Sequence, residues 1–116
     1  MWKLEGIVDA QTEGLSELDP KDCTECYILA FDKDDTFSGR ITTNILFGSY
    51  EINYIANTFR FSNIGGTEAI DIGGGELYRQ ILLKIQTFIV KSSYPRILHL
   101  YYNSGKNYLK YQEIGG

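Results

Sequence analysis

The sequence predicts an α+β fold: a curled antiparallel sheet, or a partly open β-barrel, of about eight strands with one helix packed on it. Three observations predict this fold. Nine Tyr and six Phe make the 116-residue chain rich in side chains that favour strands. Several short segments alternate apolar and polar residues at a period of two, with turn residues between them. One late segment instead repeats its apolar residues every four positions, as a helix does. The length fits one domain over residues 1–116.

Strands in the first half of the chain are predicted from this alternation. Trp2 and Leu4 open the first strand, and a polar excursion containing Gly14 and Pro20 follows it. Charged residues at 32–35 form a turn, so the segments on either side of it pair as a hairpin. An irregular corner at 43–47 then leads to a second hairpin. The further strands predicted in this half are residues 26–31, 36–42, 49–54 and 58–61.

A Gly-rich connection leads to the predicted helix, at about Glu76–Gln86. Its apolar residues are spaced by four, and the stripe they form is predicted to face the sheet. That stripe is Leu77, Ile81 and Ile85, and a second stripe is Tyr78 and Leu82.

The segment after the helix returns to strands, because its residues are β-branched and aromatic. The strands predicted here are residues 87–90, 97–102 and 108–111, the last two joined by a turn at 103–106. So many short strands would leave costly open edges in a flat sheet. We therefore expect the sheet to curl and the helix to cover its open side.

Composition argues against a nucleic-acid partner and against a transmembrane segment. The chain has 15 acidic and 11 basic residues, a net charge of −4, and the basic residues are scattered singly. Without a dense basic cluster a surface cannot neutralise a row of phosphates, so we expect no nucleic-acid partner. The longest apolar run, around Ile81 to Val90, is broken by Lys84 and Gln86 and is shorter than the roughly 18 residues of a membrane span. We expect no transmembrane segment.

The order of several motifs resembles the META domain family. The matching motifs in the first half are Trp2-Lys3-Leu4, Phe37-Ser38-Gly39 and the segment 43–50, which contains Asn44 and ends in Gly-Ser-Tyr. Thr67 corresponds to the family's loop threonine. Thr43 departs from the pattern, since the family often has Cys beside the Asn, so a disulfide there is absent. The helix and the closing hairpin match through Glu76-Leu77-Tyr78, Leu98, Leu100, Tyr101 and Tyr102, and Tyr108-Leu109.

The resemblance implies an open, barrel-like α+β domain and no known chemistry. META-domain proteins are typically exported bacterial envelope proteins, often lipid-anchored and linked to stress or drug resistance. We therefore expect a non-catalytic monomer that acts by binding or by structural, stress-related support in the periplasm or outer envelope. Its signal segment and lipid anchor would not be among these residues. The alternative is a small calycin-like barrel that binds a small apolar ligand.

Cys23-Thr24-Glu25-Cys26 has the spacing of a redox pair or of half a zinc site. A structural zinc site needs four protein ligands, and the chain has no further Cys and a single His. A redox Cys-x-x-Cys is activated at a helix N-terminus, whereas this one leads into a predicted strand. We interpret Cys23 and Cys26 as ordinary cysteines, or as a local disulfide if the domain is exported.

Three further motifs lack the partners that their chemistry needs. A calcium loop starting at Asp32 would require Gly and Glu where Phe37 and Thr43 stand. The Gly-rich run before Glu76 lacks the Gly-Lys-Ser/Thr of a phosphate loop. His99 has no Ser elbow to pair with, and its strand position predicts a partly exposed side chain. We therefore predict no enzyme activity, no metal and no cofactor.

Tyrosines are the remaining candidates for a binding surface. Aromatic rings on one concave face grip peptides, glycans or apolar ligands by stacking and by hydroxyl hydrogen bonds, so the predicted partner is a protein, a glycan or a small apolar ligand. The same rings also stabilise small sheets through cross-strand pairs, which is the alternative interpretation. The candidate residues are Tyr50, Tyr54, Tyr101, Tyr102, Tyr108 and Tyr111.

Overall fold

Nine antiparallel strands and one helix are formed by residues 1–115, the part of the chain that the computed structural model describes. The elements are β1 (Trp2–Asp9), β2 (Leu15–Ser16), β3 (Ile28–Phe31), β4 (Thr36–Arg40), β5 (Ile45–Asn53), β6 (Thr58–Gly66), α1 (Gly75–Leu82), β7 (Thr87–Lys91), β8 (Ile97–Tyr102) and β9 (Asn107–Glu113). The predicted class, a curled antiparallel sheet with one helix, is confirmed. The extra strand is the two-residue β2.

The sheet curls into a ring because its first strand pairs with its last. Neighbouring strands pair in order from β3 to β9, and β1 lies between β3 and β9. The β1–β9 ladder runs from Trp2 opposite Glu113 to Asp9 opposite Asn107. The weakest contact in the ring joins β6 to β7, which share the single pair Thr58 and Thr87. The ring is therefore continuous but is not a regular barrel.

Strand alternation places one set of side chains inside this ring. On β8, Leu98 and Leu100 point inward while His99 points outward, and the same alternation holds on neighbouring strands. A bulge after Leu4 shifts the register of β1, so that Val8 ends on the outer face beside Tyr108. The largest fully buried apolar and aromatic side chains are Leu29, Phe37, Ile41, Leu46, Tyr78, Leu82, Leu100, Leu109 and Tyr111.

The helix differs from its prediction in length and in the face that it buries. It ends at Leu82, where a tight turn bonds the Lys84 N–H to the Ile81 carbonyl at 2.9 Å. Leu77 was predicted to face the sheet but is 49% exposed, so that prediction is wrong. Tyr78 takes its place, one residue and about 100° round the helix. Ile81 and Ile85 are buried as predicted, although Ile85 lies beyond the helix.

The loop before the helix is fastened to the β4–β5 corner by Asn44. Its Oδ1 accepts hydrogen bonds from Thr67 Oγ1 and from the Ala69 N–H, both at 2.8 Å, and its Nδ2 donates to the Ala69 carbonyl. These bonds also tie β5 to the end of β6, so β5 begins at Ile45 instead of after an irregular corner. Gly65 and Gly66, predicted as part of the connection, belong to β6. Asn44 and Thr67, which are far apart in sequence, thus meet.

Asp71 completes this fastening through a nearly buried carboxylate. It accepts hydrogen bonds from Thr42 Oγ1 at 3.2 Å and from the Asn44 N–H at 3.3 Å, and it pairs with Arg79 of the helix at 3.4 Å. Burial alone would raise the pKa of this carboxyl, but the hydrogen bonds outweigh burial and hold the pKa below its usual value. The helix is therefore held in place by a charged contact as well as by its apolar face.

Candidate functional site

One end of the ring is open and lined by aromatic side chains, and we call it the aromatic mouth. It is a cleft of about 130 Å³. The strand ends that meet there are the start of β1, the ends of β3, β5 and β7, and the starts of β6 and β8. The residues that line it are Trp2, Phe31, Tyr50, Ile52, Tyr54, Phe59, Phe88, Val90, Arg96 and Leu98.

Aromatic contacts hold the walls of the mouth in place. Phe59 and Phe88 are nearly buried and form its floor, with ring centroids 6.1 Å apart. Tyr50 stacks parallel to Phe59 at 5.6 Å, and Phe31 meets the edge of Tyr50 at 5.0 Å. Such offset and edge-to-face pairs are the preferred geometries of aromatic rings. The walls are therefore preorganised by packing.

The rim of the mouth is polar and partly exposed. Tyr54 is 74% exposed and stands edge-on to Phe88 at 5.7 Å. The Tyr50 hydroxyl points to the Asp32 carbonyl at 3.4 Å, and burial, followed by the nearby Asp35 charge, raises the pKa of Tyr50. On the opposite side, the Arg96 guanidinium lies over the indole of Trp2, 5.6 Å from the ring. The mouth thus has an apolar interior and charged groups at its edge.

The other end of the ring is closed by the helix. Tyr78 projects from it into the interior, where its hydroxyl lies 2.7 Å from the hydroxyl of Tyr111. Burial raises the pKa of both phenols above their usual values. Tyr27 packs edge-on against Tyr78 at 5.1 Å. The mouth therefore ends on a packed interior. Its volume is well below the roughly 300 Å³ at which pockets for drug-sized ligands begin.

The six tyrosines predicted as a binding surface do not lie on one face. Tyr50 and Tyr54 line the aromatic mouth. Tyr101 and Tyr108 lie side by side on the outer face of β8 and β9, with centroids 4.9 Å apart. The remaining two belong to the core: Tyr111 is fully buried and Tyr102 packs against the interior cluster.

His99 lies under the outer tyrosine pair and is buried, so the prediction of a partly exposed side chain is wrong. Its ring stacks on Tyr108 with a centroid distance of 4.1 Å, and its Nδ1 is 3.3 Å from the Tyr101 hydroxyl. Burial, and then the positive charges of Lys91 and Lys110, lower its pKa to about 4. The tyrosine cover that buries it comes from strand pairing, which sequence spacing does not reveal.

The two cysteines form a disulfide at the entrance to β3. The Lys3 ammonium donates to the carbonyl oxygens of both Cys23 and Cys26, and burial lowers the pKa of this lysine. Within residues 1–115, His, Cys, Asp and Glu form no group of three or more suited to holding a metal ion.

Most residues of the aromatic mouth were not predicted as a site. The ordinary alternation of inward and outward residues along a strand is all that distinguishes Trp2, Phe59 and Phe88 in the sequence. Only the strand register brings them to one end of the ring. Arg96 follows a turn and gave no signal of its own. The signal available in the sequence was the alternation that puts every second residue of a strand on the same face, combined with the pairing of strands in hairpins.

Two solved structures are similar to this chain. An NMR structure of a protein from Burkholderia xenovorans matches with a TM-score of 0.75 and 21% identity, covering 98% of this chain and 81% of that one. The crystal structure of a DUF4847 family protein from Bacteroides vulgatus matches with a TM-score of 0.73 and 15% identity, covering 99% of this chain and 92% of that one. Such low identities show a shared fold alone.

No family model matches the sequence, and no curated protein matches it. In the part of the chain that the structure describes, none of the helical segments has the length and apolar character to cross a membrane.

Proposed function

We propose that this domain is a non-catalytic binding module whose aromatic mouth holds one apolar ring of a ligand. The observation that carries the proposal is the cleft of about 130 Å³ with a nearly buried floor and preorganised aromatic walls. An apolar cavity of about 150 Å³ in another protein is known to hold a single benzene ring, so the volume fits one ring and little more. The proposal therefore restricts the small apolar ligand expected under the alternative hypothesis to one that places a group of that size in the mouth.

The expected affinity for a lone ring is weak. Burying about 150 Å² of apolar surface at about 25 cal/mol per Å² supplies about 4 kcal/mol before the cost of association is subtracted, so a Kd of about 1 mM is the tightest expected. A larger ligand would add contacts at the rim, where Tyr54 and Arg96 remain accessible. Rim contacts would then decide which ring-bearing molecule binds.

The test uses benzyl alcohol as the probe and Trp2 as the reporter, because Trp2 is the chain's single tryptophan and lies in the mouth. We expect a saturable change in fluorescence excited at 295 nm, with a midpoint in the millimolar range. Nuclear magnetic resonance shifts confined to mouth residues would give the same midpoint.

A matched pair of variants separates the mouth from the rest of the surface. Val90 points into the mouth, whereas its neighbour Ile89 points outward on the same strand, and both are partly exposed. Val90→Phe should fill the cleft and abolish saturable binding, while Ile89→Phe should leave it unchanged. Equal binding by both variants, or no saturable binding by the unaltered chain, would contradict the proposal.

For the compartment, we propose the periplasm or outer envelope. The support is the disulfide between Cys23 and Cys26, since disulfides persist in oxidising compartments and are rare in the cytosol. Fractionation of the source cells, followed by alkylation and mass spectrometry, should find the chain in the envelope fraction with Cys23 and Cys26 unalkylated because they are joined in the disulfide. Recovery from the cytosol with both thiols free would overturn this assignment.

A further inference from the structure

Arg96 is the one charged side chain among the residues that line the aromatic mouth. It sits at the rim, with its guanidinium 5.6 Å from the ring of Trp2. A guanidinium over an indole is attracted to the face of the ring, and its N–H groups can still donate hydrogen bonds. The mouth therefore presents a positive charge beside its apolar cleft.

Most of the hydrogen-bonding capacity of Arg96 is unused. A guanidinium has five N–H donors, and within residues 1–115 this one makes a single long side-chain contact, from Nη1 to Glu113 at 3.4 Å. Both side chains are substantially exposed, at 50% and 37%. Exposed pairs of this kind contribute at most about 1 kcal/mol, so a second carboxylate can compete for the guanidinium.

The opposite side of the mouth carries the other sign of charge. The turn between β3 and β4 contains Asp32, Asp34 and Asp35, with Lys33 among them, and it contacts Tyr50 through the Asp32 and Asp35 carbonyls. A negative group would be repelled from that side. Charge thus directs an anionic group of a bound ligand to Arg96.

We propose that the ligand of the aromatic mouth is an apolar ring that carries a carboxylate, with the ring in the cleft and the carboxylate on Arg96. This inference rests on the proposed function and names its ligand class: a small aromatic or cyclic carboxylic acid. Arg96 acts as the specificity-determining residue, because the apolar cleft by itself does not distinguish an acid from an alcohol of the same size.

The experiment compares three probes that share one ring and chain length: 3-phenylpropionate, 3-phenylpropan-1-ol and 3-phenylpropylamine. Binding to the full chain is measured by nuclear magnetic resonance titration at pH 7 and low salt. We expect the acid to bind up to about fivefold more tightly than the alcohol, which corresponds to the roughly 1 kcal/mol of an exposed ion pair, and the amine to bind more weakly than the alcohol. Added salt should weaken the binding of the acid and leave the binding of the alcohol unchanged.

Variants assign the preference to Arg96. Arg96→Gln should remove the preference for the acid while the alcohol, which reports on the cleft, binds with its original affinity. Glu113→Gln should strengthen acid binding, because it removes the competing carboxylate. Arg60→Gln is the matched control, since Arg60 forms a similar exposed pair with Glu51 away from the mouth lining, and it should change neither probe.

The outcomes separate this inference from the proposed function. If the acid and the alcohol bind equally and Arg96→Gln changes the affinity of neither, the proposed ligand class is wrong, but the proposal that the mouth binds a ring is not affected. If none of the probes binds the unaltered chain, both proposals fail. A peptide ending in Phe that binds with its carboxylate free but not amidated, more tightly than 3-phenylpropionate, would replace the small acid by a chain terminus and overturn the assignment to a small molecule.

Discussion

The buried hydroxyl pair of Tyr78 and Tyr111 should be the most strongly coupled contact between the helix and the ring. The two oxygens lie 2.7 Å apart, both side chains are fully buried, and neither hydroxyl has another partner in the described part of the chain. Tyr78→Phe leaves the Tyr111 hydroxyl buried without a hydrogen bond, which costs about 1–3 kcal/mol. Tyr111→Phe should cost about the same, because the two tyrosines are equally buried.

The double variant distinguishes this reasoning from a simple loss of packing. Removing both hydroxyls leaves no unsatisfied group, so the double variant should lose no more stability than either single variant, with a coupling energy of at least about 1 kcal/mol. Urea unfolding measures the free energies, and each kcal/mol should lower Tm by roughly 4 °C. The exposed Tyr94→Phe is the control and should change nothing. Losses that simply add in the double variant would refute the argument.

The helix face and the buried histidine give further tests. Ile81→Ala should lower the free energy of unfolding by about 2–5 kcal/mol, whereas Leu77→Ala should change it by less than about 0.5 kcal/mol; equal losses in urea unfolding would mean that the helix is placed wrongly. The folded-state pKa of His99, about 4, lies below its unfolded value of 6.5, so the unfolded chain binds the proton first and stability should fall as the pH is lowered from 6.5 towards 4. His99→Gln should make that part of the Tm–pH curve shallower, and an unchanged slope would count against a buried neutral imidazole.

Local patterns in the sequence predicted the strands and the existence of the helix, because these depend on neighbouring residues. Alternation located β5 and β6 around Tyr50 and Phe59 without any knowledge of their partners. The helix face was harder. Leu77 and Tyr78 both fit an apolar stripe, and the choice between them depends on Tyr111, which is 33 residues from Tyr78 and offers it a hydroxyl.

The candidate site could not be predicted, because it exists only after the ring closes. Trp2, Phe59 and Leu98 belong to three different strands, and each alone resembles an ordinary core residue. Their shared position follows from the register of several ladders, and a shift of one residue in any ladder would turn its side chains outward. The tyrosine count pointed to aromatic surfaces in general, but the phenylalanines and Trp2 supply four of the six aromatic side chains of the mouth.

Joining the first strand to the last has a consequence for how the protein is made. The edge of β1 that meets β9 cannot be satisfied until residue 113 is available, which is roughly 5–20 s after β1 is synthesised at about 5–20 residues per second. During that interval the nascent chain exposes an unpaired strand edge, the kind of surface on which aggregation begins. We therefore expect the newborn polypeptide to depend on protection by chaperones until its synthesis is almost finished.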